Sequence, residues 1–274
     1  MGESSVLWLR VAAGLYSLGL LDAIITVIRR REGLFRVALG AFALGALFQL
    51  VSLVELGMAQ HQLPVSDIFE TMSFCSWIIT AAFLAIYYRY KAASLSVFIF
   101  PLVFVMTLIG ALRTPVSTWS SPVIANTWLA VHVVAVLLGY AALLFTAAAS
   151  VVYLVQERRL KRKRQSTGSF FRVLPPLGTL DDLISKSLGV GFAFITIGIV
   201  IGSIWAFVEM GTRWIGESSI AISFVTWLVY LALVFFRVSS GWRGRKTAIL
   251  SIVALACCLA TWVAHATQFK SLNQ

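Results

Sequence analysis

The residues with most chemistry to offer are three histidines, His61, His132 and His265. His132 lies inside a long apolar run and His265 near the end of another. An imidazole there is costly unless it has a partner, so each invites a functional reading. Neutral imidazole nitrogen suits haem iron, and two histidines on facing elements can sandwich the metal. A flat, greasy macrocycle also wants aromatic walls, which Trp119, Trp128, Trp205 and Trp214 can supply. The plainer reading makes each histidine an interfacial polar residue bonded to backbone or water, and at this point both stay open. Zinc fits less well, because three widely separated histidines without a cysteine on their side make a weak zinc signature.

Other chemistries find less support. Cys75, Cys257 and Cys258 lie in apolar runs without a Cys-x-x-Cys pair, and read as small buried residues. Ser66, Ser117, Ser120 and Ser121 carry no G-x-S-x-G elbow. The glycines of GVGFAFITIG (189–198) fall inside an apolar span, where they serve close helix packing rather than a phosphate. Asp22 and Glu55 stand near the ends of apolar runs. Asp67 with Glu70 three residues on reads as a capping box at a helix start. These carboxylates can instead take a proton or pair with Arg113 or Arg213.

The elements that must position these groups are membrane helices. The chain has 274 residues, 59% hydrophobic and 12% charged, too apolar for a soluble domain of this length. The net charge of +11 then points to topology and anionic lipid rather than to nucleic acid. A span needs about 20 mostly apolar residues. Candidates run from Val6 to Ile28, Val37 to Leu56, Ile68 to Tyr87, Leu95 to Leu112, Thr127 to Val155, Gly189 to Val208, Ile220 to Phe236 and Ala248 to Val263. Between the fifth and sixth, Ser169 to Leu188 reads as a peripheral loop with a short amphipathic helix, since Leu180, Leu183, Ile184 and Leu188 recur at helical spacing.

The expected fold is therefore an all-α, polytopic integral membrane bundle of about eight transmembrane helices, with 1–274 as one domain. The segments after the odd-numbered spans hold 18 of the 22 Lys and Arg residues, and the opposite side keeps Arg10, Arg113, Arg213 and Lys270. The positive-inside rule then puts both termini on the outer side. The stretch from Trp205 to Trp227 joins that side, as a loop carrying Trp205, Gly211, Trp214 and Glu217 between two apolar helices.

Four stretches together resemble the cytochrome c assembly superfamily, the CcsA/CcmC/HemX group of haem-handling membrane proteins. LPVSDIFETMSFCSW (63–77) resembles that family's Pro-x-Ser-Asn-x-Tyr-Glu-Ser entry into a span, with Asp67 for Asn and Phe69 for Tyr. WLAVHVVAVLLGYAALL (128–144) is similar to its histidine-bearing span, with His132 on the outer-side haem ligand and Tyr140 on a common Tyr. LDDLISKSLGVGFAFITIGIVIGSIWA (180–206) resembles the segment leading into its tryptophan-rich loop. TWLVY (226–230) and GWRGRKTAIL (241–250) resemble the segments on the C-terminal side of that loop. In the loop itself Gly211 and Trp214 match, whereas a second Trp falls on Gly216, Asp on Glu217, and Pro-Lys-Glu on Ser218, Ser219 and Ile220. A further family histidine falls on Phe235, which cannot ligate iron.

The resemblance implies a HemX-like protein of a bacterial inner membrane that handles non-covalent b-type haem at the outer face in cytochrome c biogenesis. His132 would be an axial ligand and His265 a second. Trp205, Trp214 and Glu217 would form a reduced haem-side platform, with Arg113 or Arg213 on the propionates. Apocytochrome c and a second membrane subunit are the implied partners. The substituted loop motif argues for an assembly factor rather than a complete haem lyase. Two other readings are a scaffolding membrane protein that keeps the fold without haem, and a small-solute transporter.

Overall fold

The computed structural model describes residues 2–29, 35–65, 68–112, 127–161, 174–210, 218–239, 241–242 and 244–271. Among them the regular structure is helical: α1 (Gly2–Arg29), α2 (Phe35–Gln60), α3 (Ile68–Tyr90), a 3-10 turn (Ala93–Leu95), α4 (Ser96–Ala111), α5 (Thr127–Lys161), α6 (Leu177–Met210), α7 (Ser218–Ser239) and α8 (Arg245–Ser271). Among the described residues, seven segments are long and apolar enough to cross a membrane: Ser4–Ala23, Phe35–Gln60, Ile68–Tyr90, Ala93–Ala111, Thr127–Lys161, Leu177–Val208 and Ile220–Ser239. The protein is a polytopic helical membrane protein, and α8 runs through the residues where the eighth span is expected.

The chain forms two compact units, one holding α1–α4 and the other α5–α8. In the first, two glycines let aromatic rings press against a neighbouring backbone. The Tyr16 ring of α1 occupies the space a Cβ on Gly45 would fill, and the Phe42 ring of α2 does the same at Gly19. Phe42 stacks on Phe100 of α4, and Phe83 of α3 meets Phe100 edge-on. Asp22 is no stray interfacial charge. Its carboxylate accepts the Ala38 N–H at 3.0 Å, one of the four donors that the start of α2 leaves unpaired. His61 ends α2 with a left-handed backbone, φ 54°.

This unit also carries a buried polar hub with no obvious signature in the sequence. Gln49 of α2 is fully buried. Its carbonyl accepts the Tyr16 hydroxyl at 2.8 Å, and its amide donates to the Ser76 hydroxyl at 2.7 Å and the Ser73 carbonyl at 2.9 Å. Ser76 also bonds Thr107 of α4 at 3.0 Å. In an apolar solvent each such group must find its partner inside the protein, so the hub ties α1, α2, α3 and α4 into one register.

The second unit is built on the antiparallel pair α5 and α6. Ile184, Leu188, Gly191, Ile195, Gly198 and Gly202 recur at alternating spacings of four and three, which keeps one face of α6 on a neighbour. Small residues on that face bring the helices close: a Cβ on Gly139 would meet Ile195 at 2.5 Å, and one on Gly198 would meet Val136 at 2.7 Å. At the other end of the pair Thr146 and Ser187 join hydroxyls at 2.8 Å. Leu143, Leu188, Ile195, Tyr230, Leu233, Ala254 and Cys258 form the core shared with α7 and α8.

The expected peripheral helix before Gly189 is not separate. Pro175 and Pro176 precede a continuous α6 from Leu177, and Leu180, Leu183, Ile184 and Leu188 are all buried. The amphipathic signal was real. Its apolar stripe simply continues into that of the span, with no breaker between them. Asp181, in these first turns, forms a two-pronged ion pair with Arg237 of α7 at 2.9 and 3.0 Å.

Candidate functional site

His132 lies in the second turn of α5, and α6 runs antiparallel beside it, so the last turns of α6 reach the same end of the bundle. There the imidazole is half-buried, and its Nδ1 sits 2.7 Å from the carbonyl oxygen of Gly198. A carbonyl only accepts, so Nδ1 carries the proton and donates it. In the neutral ring Nε2 then holds the lone pair. The ring lies where a side chain on Gly202 would project: an added Cβ would stand 2.5 Å from Cε1 and 2.6 Å from Nδ1. The histidine is thus held by backbone on one nitrogen and by the absence of a side chain beneath its ring.

One turn further along the same face of α6 comes Trp205. Lying where the expected sixth span and the stretch read as a loop overlap, it is helical and half-buried. Its indole Nε1 is buried and has no hydrogen-bond partner among the described residues. Leaving such a donor unsatisfied costs about 1–3 kcal/mol. An acceptor on a bound ligand would remove that cost.

The α8 helix lies antiparallel to α5. Gly244, just before α8, would touch the Tyr153 hydroxyl if it carried a Cβ, and Tyr140 packs on the core cluster that holds Cys258. Residue numbers rise along α8 as they fall along α5. Continuing this register brings position 265 of α8 to the level of His132. The side chain of His265 lies outside the described residues, as do Arg113, Arg213, Trp214 and Glu217. Trp119 and the four serines at 66, 117, 120 and 121 lie outside them as well, whereas Trp128 is exposed at the start of α5. Phe235, on α7, is 56% exposed and suits an apolar surrounding.

The remaining candidates fall in the first unit. Glu70 is buried and accepts the Gln60 amide at 2.6 Å, so α2 supplies a partner that the capping-box reading did not foresee. Asp67, the other half of that box, is outside the described residues. Glu55 accepts the Ser4 hydroxyl. Among the described residues no group of three or more His, Cys, Asp or Glu side chains could hold a metal ion by itself. Sequence reasoning found His132 and missed its two glycine partners. Their role shows only when the α5–α6 register is known, although the packing use of glycines in this span was legible.

These residues fit a haem site in their donor chemistry. A ligating histidine characteristically gives its second N–H to a carbonyl or carboxylate, which fixes the tautomer and makes the other nitrogen more basic. His132 has that arrangement, with an apolar helix pair around it and an indole donor one turn away.

The cytochrome C assembly protein family matches residues 65–264, well over half of the chain. A cytochrome c biogenesis protein CcsA of Prochlorococcus marinus (strain MIT 9301) is 28% identical over 255 residues, covering 84% of this chain and 82% of its own. The protein of the same description from Microcystis aeruginosa is 27% identical over 248 residues, covering 74% and 75%. That from Porphyra purpurea is 25% identical over 244 residues, covering 76% of each chain.

Proposed function

We propose, for a chain that belongs to the cytochrome c assembly protein family, a role in cytochrome c biogenesis in which it binds b-type haem at the outer face of a bacterial inner membrane. The observation that carries the haem reading is the tautomer of His132. With Nδ1 given to the Gly198 carbonyl, Nε2 is the nitrogen able to ligate iron. Haem bound there supplies a redox-active iron. The chain orients and shelters it. His132 would hold the iron through its Nε2 lone pair, and His265, at the same level on α8, would supply a second nitrogen. Trp205 offers an indole wall and a buried N–H for an acceptor.

Trp214 and Glu217 belong to the same platform, and Arg113 or Arg213 pairs with propionates, since guanidinium forks match carboxylates. The chain acts as one functional domain, with apocytochrome c and a second membrane subunit as partners. It presents haem and leaves covalent attachment to others, because Gly216 and Ser218–Ile220 stand where the family's fuller motif lies.

The test is spectroscopic. Protein purified from haem-replete cells is expected to show a Soret band that His132→Ala reduces at least tenfold and His265→Ala shifts. A wild-type protein without a Soret band, or a band unchanged by His132→Ala, removes haem from the reading and leaves a scaffolding member of the family.

A further inference from the structure

We infer that Gly202 and the Gly198 carbonyl are the positioning elements for His132, and that together they select which imidazole nitrogen faces the ligand. For the ligand's identity as haem, the inference rests on the function proposed above. Its structural core stands apart from that function.

Two independent contacts converge on one ring. The first is polar: Nδ1 meets the Gly198 carbonyl at 2.7 Å. The second is steric: the imidazole lies over Gly202 so closely that a Cβ there would come within 2.5 Å of Cε1 and 2.6 Å of Nδ1. Real side chains do not approach so closely, so any residue larger than glycine at 202 must displace the ring. The displaced atoms include Nδ1 itself, so the hydrogen bond to Gly198 goes with it. Gly198 and Gly202 are four residues apart, one above the other on the same face of α6. One supplies an acceptor and the other supplies space.

The geometry does more than pack a helix. A histidine free to choose its tautomer offers either nitrogen. Here the backbone of α6 holds Nδ1, and Nε2 carries the lone pair that can coordinate. Other glycines of the same helix separate the two roles. Gly198 itself faces Val136, and Gly191 faces the Tyr230 hydroxyl and Ala142, while a Cβ on Gly189 would meet nothing within 4 Å. Gly189→Ala is therefore the matched control for adding a methyl to α6.

The experiment uses the full chain purified without haem and labelled with isotopic histidine. A His61→Gln/His265→Gln variant leaves His132 as the sole histidine, and nitrogen–carbon correlation spectra then report its tautomer directly. The protonated nitrogen is expected to correlate with Cγ, which identifies it as Nδ1. Protonation at Nε2 alone would overturn the inference before any glycine is changed. Adding Gly202→Ala is expected to reduce the Nδ1–H form from the dominant species to a minority, while Gly189→Ala leaves it unchanged. An unaltered tautomer in Gly202→Ala, or an equal loss in both glycine variants, would also overturn it.

A haem titration of the otherwise wild-type chain and of Gly202→Ala is then read in the Soret region. A shifted or weakened band is expected for Gly202→Ala alone. An unshifted band of equal strength would overturn the positioning role. If wild type takes up no haem, the proposed function fails, while the tautomer result still decides this inference.

Discussion

Arg237 shows how much a single side chain holds at the end of the second unit opposite His132. Its guanidinium grips both carboxylate oxygens of Asp181 and the Asp181 carbonyl, at 2.9–3.0 Å, and is only 9% exposed. Removing Arg237 takes the charge-assisted bonds from a carboxylate that is only partly buried, 21% exposed, and that keeps the Gly244 N–H, which costs about 1.5–3 kcal/mol. Arg237→Ala is therefore expected to lower stability by that amount, measured by unfolding in mixed detergent. Arg237→Lys should recover less than half, because an ammonium cannot make the two parallel bonds of the fork. Equal stability of Arg237→Lys and wild type would show that charge alone, and not the fork, matters. At this scale the sequence was partly legible. His132 stood out as an imidazole in an apolar run. Asp181 and Arg237 did not, since 56 residues separate them and each reads alone as an ordinary helix-end charge.

Elements were legible wherever hydropathy sets them. The expected spans coincide in place with the helices, and boundaries differ mainly where an apolar stripe continues past the bilayer, as at the start of α6. What hydropathy could not show is how helices meet. Gln49 reads as one polar residue in an apolar run, yet it organises four helices, because its partners Tyr16, Ser73 and Ser76 come from two other helices and Ser76 passes the link on to Thr107 of α4. The α5–α6 seam depends on contacts of the same kind. A Cβ on Gly139 would press on Ile195 at 2.5 and 2.7 Å and on the Ile195 backbone nitrogen at 3.2 Å. Overpacking of this kind typically costs about 1–3 kcal/mol, so Gly139→Ala should destabilise the protein within that range. Ile195→Ala in the same chain should restore part of the loss by giving the methyl room. Because the seam carries His132 toward Gly202, Gly139→Ala should also weaken the Soret band, and Ile195→Ala should restore it. Losses that simply add in the double variant would show that the two side chains do not compete for one space.

For the whole molecule, the question is on which side of the membrane the histidine end lies, and α8 decides it. Seven segments among the described residues meet the length and hydropathy of a span, and an odd number would leave the termini on opposite sides. Yet α8 accompanies α5 in antiparallel register from Gly244, beside Tyr153, to Cys258, in the core cluster that Tyr140 packs against. About fourteen residues of helix cover about 21 Å, most of a hydrocarbon core of about 30 Å. A helix that accompanies a spanning helix that far emerges with it, so the C-terminus should lie on the side where α5 begins. The charge pattern names that side. The last turns of α1, α3, α5 and α7, the connections after them and the first turns of the helices that follow together carry 18 of the 22 basic residues, and cytoplasmic ends and loops are the ones that collect Lys and Arg. Alkaline phosphatase fused after Gln274 or within 211–217 is therefore expected to be active, since it folds only outside the cytoplasm, and the same enzyme fused within 162–173 to be inactive. An inactive fusion at 274 with an active one at 211–217 would mean that α8 does not cross. Position 265 would then lose its place beside His132, and the second ligand would have to be sought on another element.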